Sequence, residues 1–411
     1  MPVRKVSVGA TLVALVLIAG CSDSSQTAEP GAGGVGGSAD PTLFAIGSSF
    51  STPGERTSFL TLLPSLDPTP EQLDLGNAYE FPGNSDFWAL GGYVYTTSGE
   101  APTITRNRVS DSGELEEDVV LSFGRFGVPS TAFWANLLVD ETSAYIANGI
   151  REFVAWNPTT MEITGTVTLP ELENRSGFRP TFGTADRGSV IHDGKLFQPV
   201  AWTDLGFARR DPSSVILVVD IEAQEYVQTI EAPCPGLAYG SVDDAGNLYF
   251  SPWWHGVGAT LVLDAAETCS VVVDPDSLTV SDVLRFSDLA GGRQGTGMQH
   301  IGNGNMVFSA FHDEEVDLET AIADGDPFTI LENASWRLWN YDAESKTASL
   351  VEDVPANAGG IYWFEIDGIS HALVPNGFYT DTAVYRFDPD GNGADVLFNY
   401  PGWALRLFRV R

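Results

Sequence analysis

The sequence predicts an all-β chain folded as a seven-bladed β-propeller of four-stranded antiparallel blades, with a C-terminal strand closing the first blade. Three observations carry that prediction: turn formers and aromatics without helical periodicity, a hairpin-corner signature recurring in the mid-forties, and one strand too many at the end. The 411 residues include 43 glycines, 24 prolines and 45 aromatic residues (Trp 10, Tyr 12, Phe 23). No long stretch repeats apolar residues every 3.6 positions, so short strands joined by tight turns are the expected element.

The corner signature is a short apolar strand ending in a small polar residue. It reads Val154-Ala-Trp-Asn157, Leu217-Val-Val-Asp220, Leu261-Val-Leu-Asp264, Leu338-Trp-Asn-Tyr-Asp342 and Val384-Tyr-Arg-Phe-Asp388, with weaker copies ending near Ser110 and Pro64. Corners near 64, 110, 157, 220, 264, 342 and 388 are separated by 46, 47, 63, 44, 78 and 46 residues. A period of that size with two insertions fits one four-stranded blade per repeat, hence seven blades.

A further strand precedes each later corner: Gly92–Thr96, Ser143–Ala147, Lys195–Gln198, Asn247–Phe250, Asn305–Phe308 and Ser370–Leu373. Several follow Gly or Asp-Gly turns such as Asp193-Gly194 and Asp367-Gly368, which suit tight hairpins. In the first repeat, Thr42–Phe50 reads as the second strand, Ser58–Leu63 as the third and Glu71–Leu75 as the fourth, leaving no innermost strand. Ala404–Val410 is the surplus strand, and placing it inside the first blade closes the ring and removes the open edges.

Residues 1–20 read as an export signal. Arg4 and Lys5 precede an uncharged apolar run from Val6 to Gly20, about 22 Å long as a helix and short for a hydrocarbon core of about 30 Å. Leu17-Ile18-Ala19-Gly20-Cys21 resembles the lipobox of bacterial lipoproteins, which makes Cys21 the expected lipidation site and a membrane the expected partner. Residues 21–40 are the lipidated cysteine and a linker rich in Gly and Ser, and residues 41–411 form the propeller.

Lys+Arg total 21 against 55 Asp+Glu, a net charge of −34. That sign repels nucleic acid and excludes it as a partner. Beyond Cys21 there remain Cys234 and Cys269, 35 residues apart and in no CxxC, and they are expected to form a disulfide between neighbouring strands of one repeat.

No nucleophile elbow, zincin helix or phosphate-binding lysine loop is present, and Gly291–Gly297 lacks the lysine that phosphate cradling needs. Asp388-Pro-Asp390-Gly-Asn392-Gly393 matches the first half of a calcium loop, but Asn399 stands where a bidentate Glu belongs and the stretch coincides with a corner. Turn chemistry explains it better; no cofactor is predicted, with calcium at Asp388, Asp390 and Asn392 the exception to test.

The loops leaving the second strands share a face with the loops entering the innermost strands. That face collects Trp202, Phe207, Arg209 and Arg210, then Trp253, Trp254 and His255, then Phe311 and His312, then Phe378 and Tyr379, with Arg175, Phe178 and Arg179 from an entry loop. Aromatic faces beside arginines suit a planar or anionic small ligand. The alternative is that these aromatics pack between blades and the arginines pair with local carboxylates.

Ala78–Gly83, Ser98–Arg106, Val154–Gly165, Asp186–Val190 and Ala232–Gly236 resemble segments of MxcI-like lipoproteins of myxobacteria, a likeness covering nearly all of the chain after the linker. That resemblance implies an anchored protein of the cell envelope, at the periplasmic face of the outer membrane or the cell surface, that captures or passes on ferric siderophore in iron uptake. It brings no catalytic motif. The leading expectation is therefore a binding protein, against a lactonase- or quinoprotein-like enzyme using a channel metal, or a scaffold for envelope proteins.

Overall fold

The computed structural model describes Arg4–Lys5 and residues 42–411, apart from 53–54, 184, 329–330, 332 and 378–379. The lipobox, Cys21 and the linker to residue 40 lie outside the described residues. The described strands form seven antiparallel sheets in chain order around one axis, the expected propeller.

Blade 1 pairs Trp403–Arg409, innermost, with Phe44–Thr52, Glu55–Leu63 and Tyr79–Pro82. Register runs from Phe44 opposite Arg409 to Ser49 opposite Trp403, so the last strand of the chain closes the ring as the sequence predicts. Seven apolar cores lie between successive blades. The one made by Ile46, Leu405 and Leu407 of blade 1 with Tyr362, Leu373 and Val384 of blade 7 joins the two ends of the chain. Second strands are covered on both sides and read as continuous apolar runs, as in Lys195–Thr203, whereas fourth strands such as Glu162–Thr168 alternate with solvent.

The corner code has a physical basis. Asn157, Asp220, Asp274 and Asp342 each accept backbone N–H bonds from residues two or three further on. Met161, Gln224, Leu278 and Lys346 then take left-handed φ of 53° to 56° immediately before the fourth strand. The short polar acceptor thus substitutes for ladder bonds that the turning backbone gives up.

Two strand assignments differ from expectation. Residues 71–75 are the 3₁₀ turns Pro70–Leu73 and Leu75–Asn77 with Asp74 capping between them, held by Gln72 on the Thr69 N–H and Asp74 on the Gly76 N–H; the fourth strand is Tyr79–Pro82. Leu261–Asp264 ends the helix His255–Leu263, with Asp264 left-handed at φ 51°, and the third strand of blade 5 is Cys269–Asp274. That helix is an insertion buried on Trp254, Val257 and Val262 against Phe311, Leu331 and Trp336 of blade 6. The Cys234–Cys269 disulfide is formed, but it ties the loop entering blade 5 to that third strand rather than joining two adjacent strands.

We call upper the face on which second strands lead into third strands, and lower the face carrying the corners. The Leu43 N–H donates to the Arg411 carbonyl at 3.0 Å, so both ends of the propeller lie on the lower face.

Candidate functional site at the upper mouth

The innermost strand of blade 4 is broken. Arg179–Phe182 and Val190–His192 both pair with Lys195–Thr203, and the single turn Ala185–Gly188 between them bulges out of the sheet. Gly188 permits this, because a Cβ there would lie 2.6 Å from the Ala238 carbonyl oxygen of blade 5. The bulge places Arg187 on the axis.

From there Arg187 reaches blades on the opposite side of the ring. Its Nη2 donates to the Leu405 carbonyl at 2.7 Å, and its guanidinium stands 3.6 Å from the centre of the Tyr362 ring and 5.8 Å from that of Phe133. Tyr362 in turn stacks on Trp403 at 5.6 Å. Tyr239 of blade 5 completes the group. Desolvation pushes its phenol well above the usual range, with the Tyr362 phenol adding to the shift and Arg187 and the Trp253 side chain opposing it.

Trp253 links this axial group to a second cluster between blades 4 and 5. His255 lies 4.2 Å from the Trp253 ring, 4.3 Å from Trp254 and 4.9 Å from Phe328. Burial, helped by the charge of Arg210, lowers its pKa to about 3, so the imidazole is neutral at physiological pH. Its Nδ1 is buried with no hydrogen-bond partner among the described residues.

Arg210 itself is 7% exposed, and its Nη1 is likewise buried without a partner among the described residues. Desolvation lowers its pKa to about 10, against a favourable contribution from the Asp204 carboxylate, and it stays charged at neutral pH. Gly236 makes room for it, since a Cβ there would lie 2.4 Å from the Arg210 Cδ.

The other residues proposed from the sequence go elsewhere. Trp202 is core: Arg175 covers its ring at 3.4 Å while bonding Asp211 and Ser213, and its indole N–H donates to the Glu173 carbonyl. Arg179 lies 5.7 Å from the Phe207 ring, and Arg209 is exposed. Phe311 is fully buried against Trp336, and Trp254 packs in the same core. His312 pairs with Glu314, which Arg293 holds at a pKa of about 2. Phe378 and Tyr379 lie outside the described residues.

The candidate calcium loop is a turn. Asp388 accepts the Asp390 N–H and the Asn392 amide, while Asp390 accepts the Asn303 amide of blade 6. Among the described residues no three His, Cys, Asp or Glu side chains group as a metal site.

No family model and no curated protein matches this chain. Solved structures do match in fold. The periplasmic gluconolactonase of Pseudomonas aeruginosa superposes with a TM-score of 0.55 at 11% identity, over 90% of this chain and 99% of that one. A protein of Bacteroides uniformis provisionally assigned as a 6-phosphogluconolactonase gives 0.51 at 11% identity, over 90% and 100%. A protein of Bacteroides fragilis with the same provisional assignment gives 0.51 at 9% identity, over 90% and 99%. At these identities the likeness is one of fold.

Sequence reasoning missed Arg187, Tyr239, Tyr362 and Phe133. These come from four separate stretches that meet only at the mouth.

Proposed function

We propose that this chain is an extracytoplasmic binding protein, anchored to a membrane of the cell envelope through lipid on Cys21, that receives a small anionic, ring-bearing ligand at the upper mouth. The observation that carries the reading is the axial placement of Arg187 against Tyr362, with Tyr239 and Trp253 beside it. A cation and aromatic faces meet there in a chain whose overall charge is strongly negative. Long-range attraction does not bring an anion to such a protein, so its recognition depends on contacts of this local kind. The disulfide supports a compartment outside the cytoplasm.

Ferric catecholate siderophore is the ligand class that the family resemblance implies, and its flat anionic rings suit guanidinium and tyrosine. Titration of the mature protein with a ferric catecholate is expected to quench tryptophan fluorescence, and Arg187→Gln to weaken binding at least tenfold. No quenching in the wild-type protein overturns the siderophore assignment. Incorporation of labelled fatty acid that Cys21→Ser abolishes tests the anchor.

A second reading, a lactonase-type hydrolase, draws support from the proteins of that name whose fold this chain shares over nearly its whole length. Hydrolysis of gluconolactone above the spontaneous rate, followed by proton release, is its test. A rate equal to the blank removes it.

A further inference from the structure

Between blades 4 and 5 the chain keeps an arrangement that is costly unless something occupies it. Arg210 is 7% exposed as a residue, its Nη1 is buried, and among the described residues its guanidinium has no ion pair or side-chain hydrogen bond. A buried, unpaired charge destabilises a fold, and such groups otherwise find partners.

A second source of positive potential adjoins it. The nine-residue helix His255–Leu263 starts here, and its N-cap, Trp254, offers no side-chain cap. Arg210 Nη1 lies 3.4 Å from where a Cβ on Gly256 would stand, within the first turn of that helix. The Gly256 and Val257 N–H groups of that turn already donate to the Trp253 and Trp254 carbonyls, so the helix adds its dipole, not free donors, to the space that the guanidinium faces. The carboxylate whose charge reaches Arg210 is that of Asp204, which is partly exposed and accepts the Ala208 N–H at 2.8 Å.

The remaining wall is aromatic and neutral. Trp253 and His255 are partly exposed and lie with ring centres 4.2 Å apart, and the imidazole carries an unpartnered nitrogen. Planar guanidinium groups match carboxylates at two points, and a tryptophan face accepts a flat ring.

We propose that Arg210, helped by the dipole of helix His255–Leu263, holds the carboxylate of an aromatic carboxylic acid whose ring packs on Trp253. This deepens the binding reading and rests on it, because Trp253 is shared with the axial group. The carboxylate anchors the ligand, and Arg187 with Tyr362 meets whatever part of it extends over the axis. His255 offers a neutral nitrogen to a ring hydroxyl or a carboxylate oxygen.

Calorimetry and thermal denaturation of the full mature chain with benzoate, benzamide and inorganic phosphate test it. Benzoate is expected to bind at least tenfold more tightly than benzamide, its neutral isostere, and more tightly than phosphate, which has no ring. Arg210→Met should lose the benzoate-induced rise in Tm while its ligand-free Tm equals or exceeds that of the wild type. A structural arginine would instead lower that Tm. Equal binding of benzoate and benzamide, tighter binding of phosphate, or unchanged benzoate binding in Arg210→Met each overturns the proposal.

Should Arg210→Met fail to fold, the proposal is overturned as far as the arginine is concerned, and Arg210→Lys with the wild-type isostere comparison decides the rest. Ferric catecholate binding that needs Arg187, with no benzoate bound by the wild-type protein, would leave the binding reading standing and remove this inference. Benzoate binding that needs Arg210, with no catecholate bound at all, would do the reverse for the siderophore.

Discussion

Arg406 and Asp86, 320 residues apart in the chain, form a buried two-point ion pair: Nε to Oδ1 at 2.6 Å and Nη2 to Oδ2 at 2.5 Å. Arg406 lies on the closing strand of blade 1, and Asp86 stands just before the innermost strand of blade 2. Asp86 is 1% exposed and also accepts the Phe87 N–H. The pair thus pins the C-terminal strand to the next blade as well as to its own.

Removing one partner strands the other charge in the interior. Asp86→Ala or Arg406→Ala is expected to destabilise the fold by about 3–5 kcal/mol. The double variant Asp86→Leu with Arg406→Met should recover much of that loss, since no lone charge is left. Urea denaturation of the three variants checks both statements; a double variant as unstable as the worse single one would contradict the charge argument.

The disulfide works on a different scale. Cys234–Cys269 closes a loop of 35 residues that contains the buried helix His255–Leu263. Loop-closure entropy of the unfolded chain predicts a loss of about 3–4 kcal/mol on removing it. Cys234→Ala with Cys269→Ala should therefore lower Tm by the same amount as full reduction of the wild type. A Tm unaffected by reductant would show that blade packing alone fixes this loop.

Much of this fold was legible in the sequence because its corners obey local chemistry. Asp or Asn, three intervening residues and a left-handed position recur at Asn157–Met161, Asp220–Gln224 and Asp342–Lys346. The same pattern stands at Asp274–Leu278, yet Leu261-Val-Leu-Asp264 imitates its apolar approach. There the helix is apolar all round because it is buried on several sides, and periodicity does not separate a buried helical turn from a strand. The site was legible only in part. Arg210, Trp253 and His255 are brought together as their loops suggested, whereas Trp202 is consumed by Arg175. The axial residues depend on ring closure, which no local pattern encodes.

Trp202 supplies a direct contrast with the mouth. It is 3% exposed, covered by Arg175 and packed with Leu217 and Val219 in the core between blades 3 and 4. Trp202→Ala should cost about 3–5 kcal/mol through the cavity it leaves. Ligand affinity of the folded fraction should stay within twofold of wild type, as measured by calorimetry below the melting range. A tenfold loss of affinity at unchanged stability would place Trp202 in the site after all.

The acid response of stability should carry a contribution from His255. In the unfolded chain its imidazole takes a proton near pH 6.5, and in the folded protein burial and Arg210 delay that until about pH 3. Between these values the unfolded state holds the extra proton, so acid favours unfolding. The contribution is present in full above about pH 6.5 and is lost as pH falls toward 3, with a slope of at most about 1.4 kcal/mol per pH unit. The many carboxylates titrate over part of the same range, so the difference between wild type and His255→Phe isolates this group. Denaturation at pH 7, 6, 5 and 4 should show the wild type losing stability relative to His255→Phe as pH falls, because the variant has no imidazole to protonate. A constant difference across that series would mean that His255 is as easily protonated folded as unfolded, and that the Arg210 pocket is wetter than its burial implies.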